Sequence, residues 1–194
     1  METTAAQKIA RVLNILVLIA LICNIVILYL VPAAVLSGGP GLLESVGNYL
    51  GSILHPGEDD ILAAGVAGSF LAWFWFWKDA YSLVLTLFLV ISGICTAVIL
   101  RQGRRVLGTI LRGEPFSMEN AVSLRRAAIC SFVIASAALA RVIFSIIYYA
   151  SPAPLLTYNA LFVPMFAMAG LLFLIMSALF RQAAEMKAEN DLTI

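Results

Sequence analysis

The chain has 194 residues, of which 62% are hydrophobic and only 12% charged, with a mean hydropathy of +1.01. Ordinary soluble domains carry about 25% charged residues, so this composition excludes a typical soluble globular protein. The formal net charge of +1 conceals an uneven distribution of charge along the chain, which sets the predicted topology below.

Four apolar runs occupy about residues 12–36, 80–100, 127–150 and 158–180. Each approaches the ~20 residues with which an α-helix crosses ~30 Å of hydrocarbon. A helix satisfies its own backbone hydrogen bonds, which lipid cannot do. The sequence therefore predicts an all-α fold, an integral membrane bundle of four transmembrane helices, with residues 1–194 as a single membrane domain. The first run exceeds the about 7–15 residues of a signal-peptide core, so we expect an uncleaved anchor.

Charge sets the predicted orientation. Lys8 and Arg11 precede the first run, and Arg181 and Lys187 follow the last. The inner loop 101–126 carries Arg101, Arg104, Arg105, Arg112, Arg125 and Arg126. The outer loop 37–79 carries Glu44, Glu58, Asp59, Asp60 and Asp79 against Lys78. Because Lys and Arg near span ends stay on the cytoplasmic side, the N and C termini and the inner loop are predicted to be cytoplasmic.

The outer loop shows two further patterns. Apolar residues recur with helical spacing over residues 42–54, which predicts a helix lying in the membrane interface. Residues 61–77 are apolar and end in an aromatic cluster, residues 73–77. A fifth crossing would conflict with the charges, so this stretch is predicted to be interfacial or re-entrant, with an extension of the second span left open. The tryptophans suit an aromatic anchor or a lipid-binding or ligand-binding patch.

No catalytic motif is visible in the sequence. The chain has one histidine, His55, which leaves almost no material for a metal site or a Ser-His-Asp arrangement. It has no glycine-rich phosphate loop, and its three cysteines fall inside the apolar runs. We therefore expect no catalytic residue, no metal, no cofactor and no enzymatic activity.

Arg141 is the charged residue that stands out, because it lies inside the third run. A charge at that depth costs at least ~2.5–3.5 kcal/mol if it faces lipid, so it should face the bundle interior or a wet cavity. Polar residues expected at similar depth are Asn159, Asp79 and Asn24, and Pro164 is expected to break the fourth span nearby. Two interpretations stay open, a site for an anionic small molecule or lipid headgroup and a structural bridge between helices.

The inner loop begins with an amphipathic pattern. On a helix, one face would carry Arg101, Arg104, Arg105, Gly108 and Arg112, and the other Val106, Leu107, Ile110 and Leu111. This predicts a basic helix lying along an anionic leaflet, unless the arginines serve only to orient the chain. Ser117 is predicted to be an N-cap for a helix beginning near Met118, with the 181–194 tail packed against the preceding turn.

The segment Gly113-Glu114-Pro115-Phe116-Ser117-Met118-Glu119-Asn120, followed by Leu124-Arg125-Arg126, resembles the bacterial family called domain of unknown function 2975. Gln182-Ala183 departs from the family, which more often has glycine after Arg181. The resemblance implies a small four-span membrane protein, and its association with small helix-turn-helix regulators implies a regulatory or sensing role. The cytoplasmic docking residues expected on this basis are Glu114, Pro115, Phe116, Ser117, Glu119, Asn120 and Arg125.

These observations favour a non-enzymatic sensing or regulatory protein of the bacterial inner (plasma) membrane, with a cytoplasmic docking surface. The alternative is a small transport protein, or a lipid- or small-molecule-binding protein, that uses an outer-half pocket around Arg141. Expected partners are membrane lipids and a cytoplasmic protein such as a small helix-turn-helix regulator. Direct binding of nucleic acid is not expected, and homo-oligomerisation is left open.

The predicted orientation can be tested by labelling single cysteines in intact cells. Cysteines at Glu44 or Asp59 should react with a membrane-impermeant thiol reagent, and cysteines at Arg104 or Glu189 should not. Labelling at Arg104 from outside would reverse the orientation.

Overall fold

A computed structural model describes residues 5–36, 68–75, 77, 79–114 and 116–191. Four long helices account for most of them: α1 (Ala5–Leu36), α2 (Ala80–Leu111), α3 (Met118–Tyr149) and α4 (Tyr158–Asp191). Residues 68–75 form a short helical segment, and Ala153–Leu156 form a 3₁₀ turn between α3 and α4. The described part of the chain contains no β-strand.

All four long helices are long and apolar enough to cross a membrane, which confirms the predicted all-α, four-span class. Large apolar side chains such as Ile22, Ile147 and Leu171 are more than half exposed. Such broad exposure of apolar surface suits contact with lipid chains, because monomeric soluble proteins rarely show it.

All four long helices extend beyond the predicted spans at one end. α1 begins at Ala5, α2 continues past Leu100 to Leu111, α3 begins at Met118, and α4 continues to Asp191. At 1.5 Å per residue these helices are about 48–51 Å long, compared with ~30 Å for the hydrocarbon. The excess lies at the ends that carry the basic residues. Pro164 does not break the fourth span, since α4 is continuous through it.

The described residues fall into two compact units. The larger unit comprises those up to Ile25 and from Ile91 onward, and the smaller unit comprises those between Val26 and Val90. The prediction of a single membrane domain stays a prediction.

In the smaller unit, part of the aromatic cluster has a defined place. The Trp73 indole donates a hydrogen bond from Nε1 to the backbone carbonyl of Tyr29, at 3.2 Å, while Trp75 and Trp77 are exposed. This unit also has an open apolar cleft of about 390 Å³ next to Trp75 and Leu36. The depth of the segment in the membrane stays a prediction. The 42–54 helix, His55, Glu44 and Asp59 lie outside the described residues.

In the larger unit, α3 packs on its neighbours through small side chains. Its buried residues include Ala121, Ala128, Ser131, Ala135 and Ala138, which are three, four or seven positions apart along the helix. Small residues let helix backbones approach closely, which matters in lipid because helix association there depends on packing rather than on burial from water. One close approach is at Gly170 of α4, where the ring of Phe132 lies over the glycine.

Gly170 therefore provides a test of α3–α4 packing. A Cβ atom there would lie 3.0 Å from Cζ of Phe132, so Gly170→Leu should displace the ring and lower stability by about 1–3 kcal/mol. Gly103 is the control, because it is helical and a Cβ atom there would meet no other group within 4 Å. Thermal unfolding in detergent should show a large loss for Gly170→Leu and none for Gly103→Leu. Equal effects would contradict the packing described.

Candidate functional site

The end of α2 is fixed by a backbone turn at Gly113. Gly113 has a φ of 81°, a left-handed conformation that favours glycine. Its N–H donates to the carbonyl of Ile110 at 3.1 Å, and the N–H of Glu114 donates to that of Thr109 at 3.0 Å. These two bonds form a Schellman motif, which satisfies the last carbonyls of the helix and reverses the chain direction.

Asn120 holds α2 and α3 together at this turn. Its side chain is fully buried, and Nδ2 donates to the hydroxyl of Thr109 at 2.6 Å. The Thr109 hydroxyl in turn donates to the carbonyl of Val106 at 2.7 Å. The hydroxyl of Ser117 accepts from the backbone N–H of Asn120 at 3.4 Å, which confirms the predicted N-cap. Ser117 and Asn120 therefore shape the α2–α3 turn.

The other two helices attach at the same end of the larger unit. On α4, the Ser177 hydroxyl donates to the carbonyl of Ala121 at 2.7 Å. The rings of Phe116 and Phe180 lie 5.9 Å apart. On α1, Oδ1 of Asn14 accepts from Nε of Arg104 at 3.2 Å. We call residues 101–126 and 177–191 the basic-end projection.

The interior of this projection is partly polar. A basic helix is predicted over residues 101–112, and its position along the leaflet stays a prediction. Residues 101–111 are the last turns of α2. Gln102 and Thr109 are buried together with Leu107, and Arg104 is half-buried. The pairing of Thr109 with Asn120 and of Asn14 with Arg104 was not predicted from the sequence, because spacing on a helix does not identify which polar groups are paired across helices.

The outer surface of the projection carries several of the predicted docking residues. Glu114, Phe116, Glu119 and Arg125 are exposed. Exposed neighbours are Arg101, Arg105, Arg112, Met118, Val122 and Arg126. Pro115 lies outside the described residues. The motif therefore divides into residues that build the turn and residues that the turn displays.

The C-terminal tail is the continuation of α4 as far as Asp191. Arg181 pairs with Glu185 at 2.9 Å, an i,i+4 pair within that helix. The residues from Glu185 to Asn190 are all exposed. Contact with the 113–120 turn is made by Phe180, one residue before the predicted tail. A composite face joining the acidic tail to the turn stays a prediction.

Of the predicted pocket residues, two are brought together. Arg141 is half-buried on α3, and its Nη1 donates to Oδ1 of Asn159, the second residue of α4, at 3.2 Å. Its neighbours Ala138 and Val142 are buried. This bond satisfies one donor of the guanidinium and links α3 to α4. The bond supports the interpretation of Arg141 as a structural bridge between helices, and the ligand site stays a prediction.

Asp79 and Asn24 occupy other places in the structure. Asp79 belongs to the smaller unit and caps α2, with Oδ2 accepting from the backbone N–H of Ser82 at 2.9 Å and from its hydroxyl at 3.1 Å. The backbone hydrogen bond, followed by the hydroxyl, lowers the pKa of the exposed Asp79 carboxyl below its ordinary value. Asn24 is half-buried in α1, and its Oδ1 accepts no hydrogen bond.

Within the described residues, no three His, Cys, Asp or Glu side chains are grouped so that they could hold a metal. Taken together, the four spanning-type helices and the polar turn at one end define a multi-pass membrane protein. The chain belongs to the family described as protein of unknown function (DUF2975), whose family model matches residues 61–194. That range includes the 113–120 motif and begins after α1. No curated protein and no solved structure matches the chain.

Two glycines near the turn provide a matched test of the Schellman motif. A Cβ atom would meet no other group at either Gly108 or Gly113, but only Gly113 has a positive φ. Gly113→Ala should therefore destabilise the protein by about 1–2 kcal/mol, the cost of a left-handed conformation for an L-residue. Gly108→Ala should stabilise it by about 1 kcal/mol through helix propensity. Thermal unfolding should show shifts of opposite sign, and shifts of the same sign would contradict the turn.

Proposed function

We propose that the protein is a non-enzymatic sensing or regulatory protein of the bacterial inner membrane, and that its basic-end projection binds a cytoplasmic protein. The observation that supports this most directly is the exposure of large apolar side chains beside the hydrogen-bonded turn at Gly113 and Ser117. The family resemblance implies a small helix-turn-helix regulator as the partner.

The length of α3 supports a position for this turn outside the hydrocarbon. About 22 residues separate Arg126 from Tyr148, which corresponds to ~33 Å of helix and is enough to cross the hydrocarbon. Residues 118–124 lie beyond Arg126 on the same helix. Exposed arginines are costly in lipid, so the start of α3 belongs in the headgroup region or in water.

The exposed apolar residues there are unusual for a water-facing surface. Phe116 is 52% exposed, Met118 46% and Val122 45%. The charged residues Glu114 and Glu119 are exposed beside them. Large apolar side chains rimmed by charged ones are typical of protein-interaction sites. The bonds of Ser117 and Asn120 hold this surface in one conformation, which reduces the entropy lost on binding.

Site-specific photo-crosslinking in cells tests the proposal. A benzophenone amino acid at Met118 or Glu119 should give a discrete crosslinked product. A product of twice the chain mass would indicate a second copy instead of another protein. The same probe at Ile147 is the control, because that side chain is 73% exposed at the other end of α3.

A charge-reversing variant then separates docking from folding. Glu114→Lys in the chain that carries the probe at Glu119 should abolish the product while membrane abundance and thermal stability stay unchanged, since Glu114 is exposed. Absence of any product at residues 118 and 119, or the same product from residue 147, would contradict the proposed docking surface.

The second candidate function, binding of an anionic ligand at Arg141, is supported by one observation, a charged side chain inside a span bonded to Asn159. If the bond is only structural, Arg141→Ala and Asn159→Ala should each cost ~1–3 kcal/mol of stability. If Arg141 binds an anion, its loss should abolish binding with little change in thermal stability. Thermal unfolding of both variants, with Arg141→Lys as the charge-conserving control, distinguishes these results.

A further inference from the structure

Four exposed arginines of the basic-end projection lie at one level of the larger unit. They are Arg101 and Arg105 on α2, and Arg125 and Arg126 on α3. The bond between Thr109 and Asn120 fixes the register of these two helices, which the 112–117 turn joins. The arginines of α2 are four and eight residues from Thr109, and those of α3 are five and six residues from Asn120. At 1.5 Å per residue, all four lie about 6–12 Å from the bond along the helix axes, in a layer ~6 Å thick. We call these four residues the arginine layer.

The depth of this layer matches one face of a bilayer. About 22 residues of α3 separate Arg126 from Tyr148, or ~33 Å of helix, close to the ~30 Å of a hydrocarbon core. Tyr148 and Tyr149 are exposed, and tyrosines are typical of the opposite interface. On α2 the uninterrupted apolar run ends directly before Arg101. Both helices therefore place the arginine layer at the depth of phospholipid phosphates.

In the part of the chain that the structure describes, none of these four arginines forms an ion pair. The sequence contains no Asp or Glu from residue 80 to 113 or from 120 to 184. Arg181 pairs with Glu185 further along α4, outside the layer. Arg104 shows the contrast, because it turns inward to Asn14, whereas the four residues of the layer point outward and are exposed.

We propose that the arginine layer binds the phosphate groups of anionic phospholipids and selects them over zwitterionic ones. A guanidinium group donates two parallel hydrogen bonds to phosphate oxygens, which a zwitterionic lipid also offers. The preference arises from net charge. The positive charge of choline cancels the negative charge of the phosphate, whereas an anionic phospholipid keeps a net negative charge that attracts the arginines. Attraction to an anionic surface corresponds to about a fivefold gain in binding per arginine. The lipid selection does not require the proposed protein partner, although Arg125 belongs to both surfaces.

The test is to reconstitute the full chain with equal amounts of phosphatidylglycerol and phosphatidylcholine, and to count the lipids that stay bound by native mass spectrometry. The unmodified protein should retain phosphatidylglycerol in excess. Arg101→Gln with Arg105→Gln, and Arg125→Gln with Arg126→Gln, should each reduce the excess by more than tenfold, since two arginines are removed. The control is Arg112→Gln with Lys187→Gln, which removes the same charge from exposed positions outside the layer.

An excess that falls equally in the control would indicate attraction by total charge and would overturn the assignment to this layer. Equal retention of both lipids by the unmodified protein would overturn the selection itself. If a layer variant does not fold, lipid retention by the unmodified protein is measured at two salt concentrations instead. Raising the salt concentration from ~0.05 to ~0.5 M should reduce the excess of phosphatidylglycerol, since salt screens exposed charges. An excess that does not change with salt would contradict phosphate binding by exposed arginines.

Discussion

The structure depends on a mismatch between the thickness of a bilayer and the length of its helices. Hydrocarbon is ~30 Å thick, but α3 has 32 residues and α4 has 34, or about 48–51 Å. Tilting of the helices accommodates part of this excess length. The remaining excess lies at one end, because the charged residues of the helices are at that end. There the helices form a projection whose buried groups include Gln102, Thr109 and Asn120. The side chains of Thr109 and Asn120 bond to each other across α2 and α3, and this bond fixes the register of the two helices at that end.

This arrangement explains why the motif at residues 113–120 combines such different residues. Gly113 adopts the left-handed conformation that ends α2, Ser117 begins α3, and Asn120 bonds the two helices together. The side chains of Glu114 and Glu119 make none of these bonds and are exposed. Gly113, Ser117 and Asn120 therefore fix the geometry of the turn, and the side chains of Glu114 and Glu119 lie on its exposed surface. A surface with that division can recognise a partner without rearranging.

Much of the fold could be predicted from the sequence, because apolar runs and charge asymmetry are direct consequences of the bilayer. The four spans and the Ser117 cap are confirmed. The Asp79 cap was missed, although Asp79 stands three residues before Ser82, whose N–H it accepts. The break expected at Pro164 is wrong, since α4 continues through it. A proline removes one N–H donor, and a helix packed along its length tolerates that loss.

The candidate sites were harder to predict, since pairing across helices leaves no local pattern. Arg104 and Asn14 are 90 residues apart, and nothing in either segment identifies the other. Arg141 and Asn159 were linked by depth alone, and the structure does bring them together. Asp79 was expected at similar depth, but its carboxylate accepts from Ser82 instead. Depth can be estimated from helix rise, but the direction of a side chain requires the packed structure.

The central claim, that the basic ends of the helices leave the hydrocarbon as one projection, is tested most directly by spin-label accessibility along α3. Nitroxides at the exposed positions Met118, Val122, Ile129, Val133 and Leu139 would be measured in liposomes against oxygen and a water-soluble nickel complex. The account predicts that labels at residues 118 and 122 collide mainly with nickel, and that those at 129, 133 and 139 collide mainly with oxygen. The crossover should fall at Arg125 and Arg126. Oxygen-dominated collisions at residues 118 and 122 would place the turn inside the lipid and contradict the account.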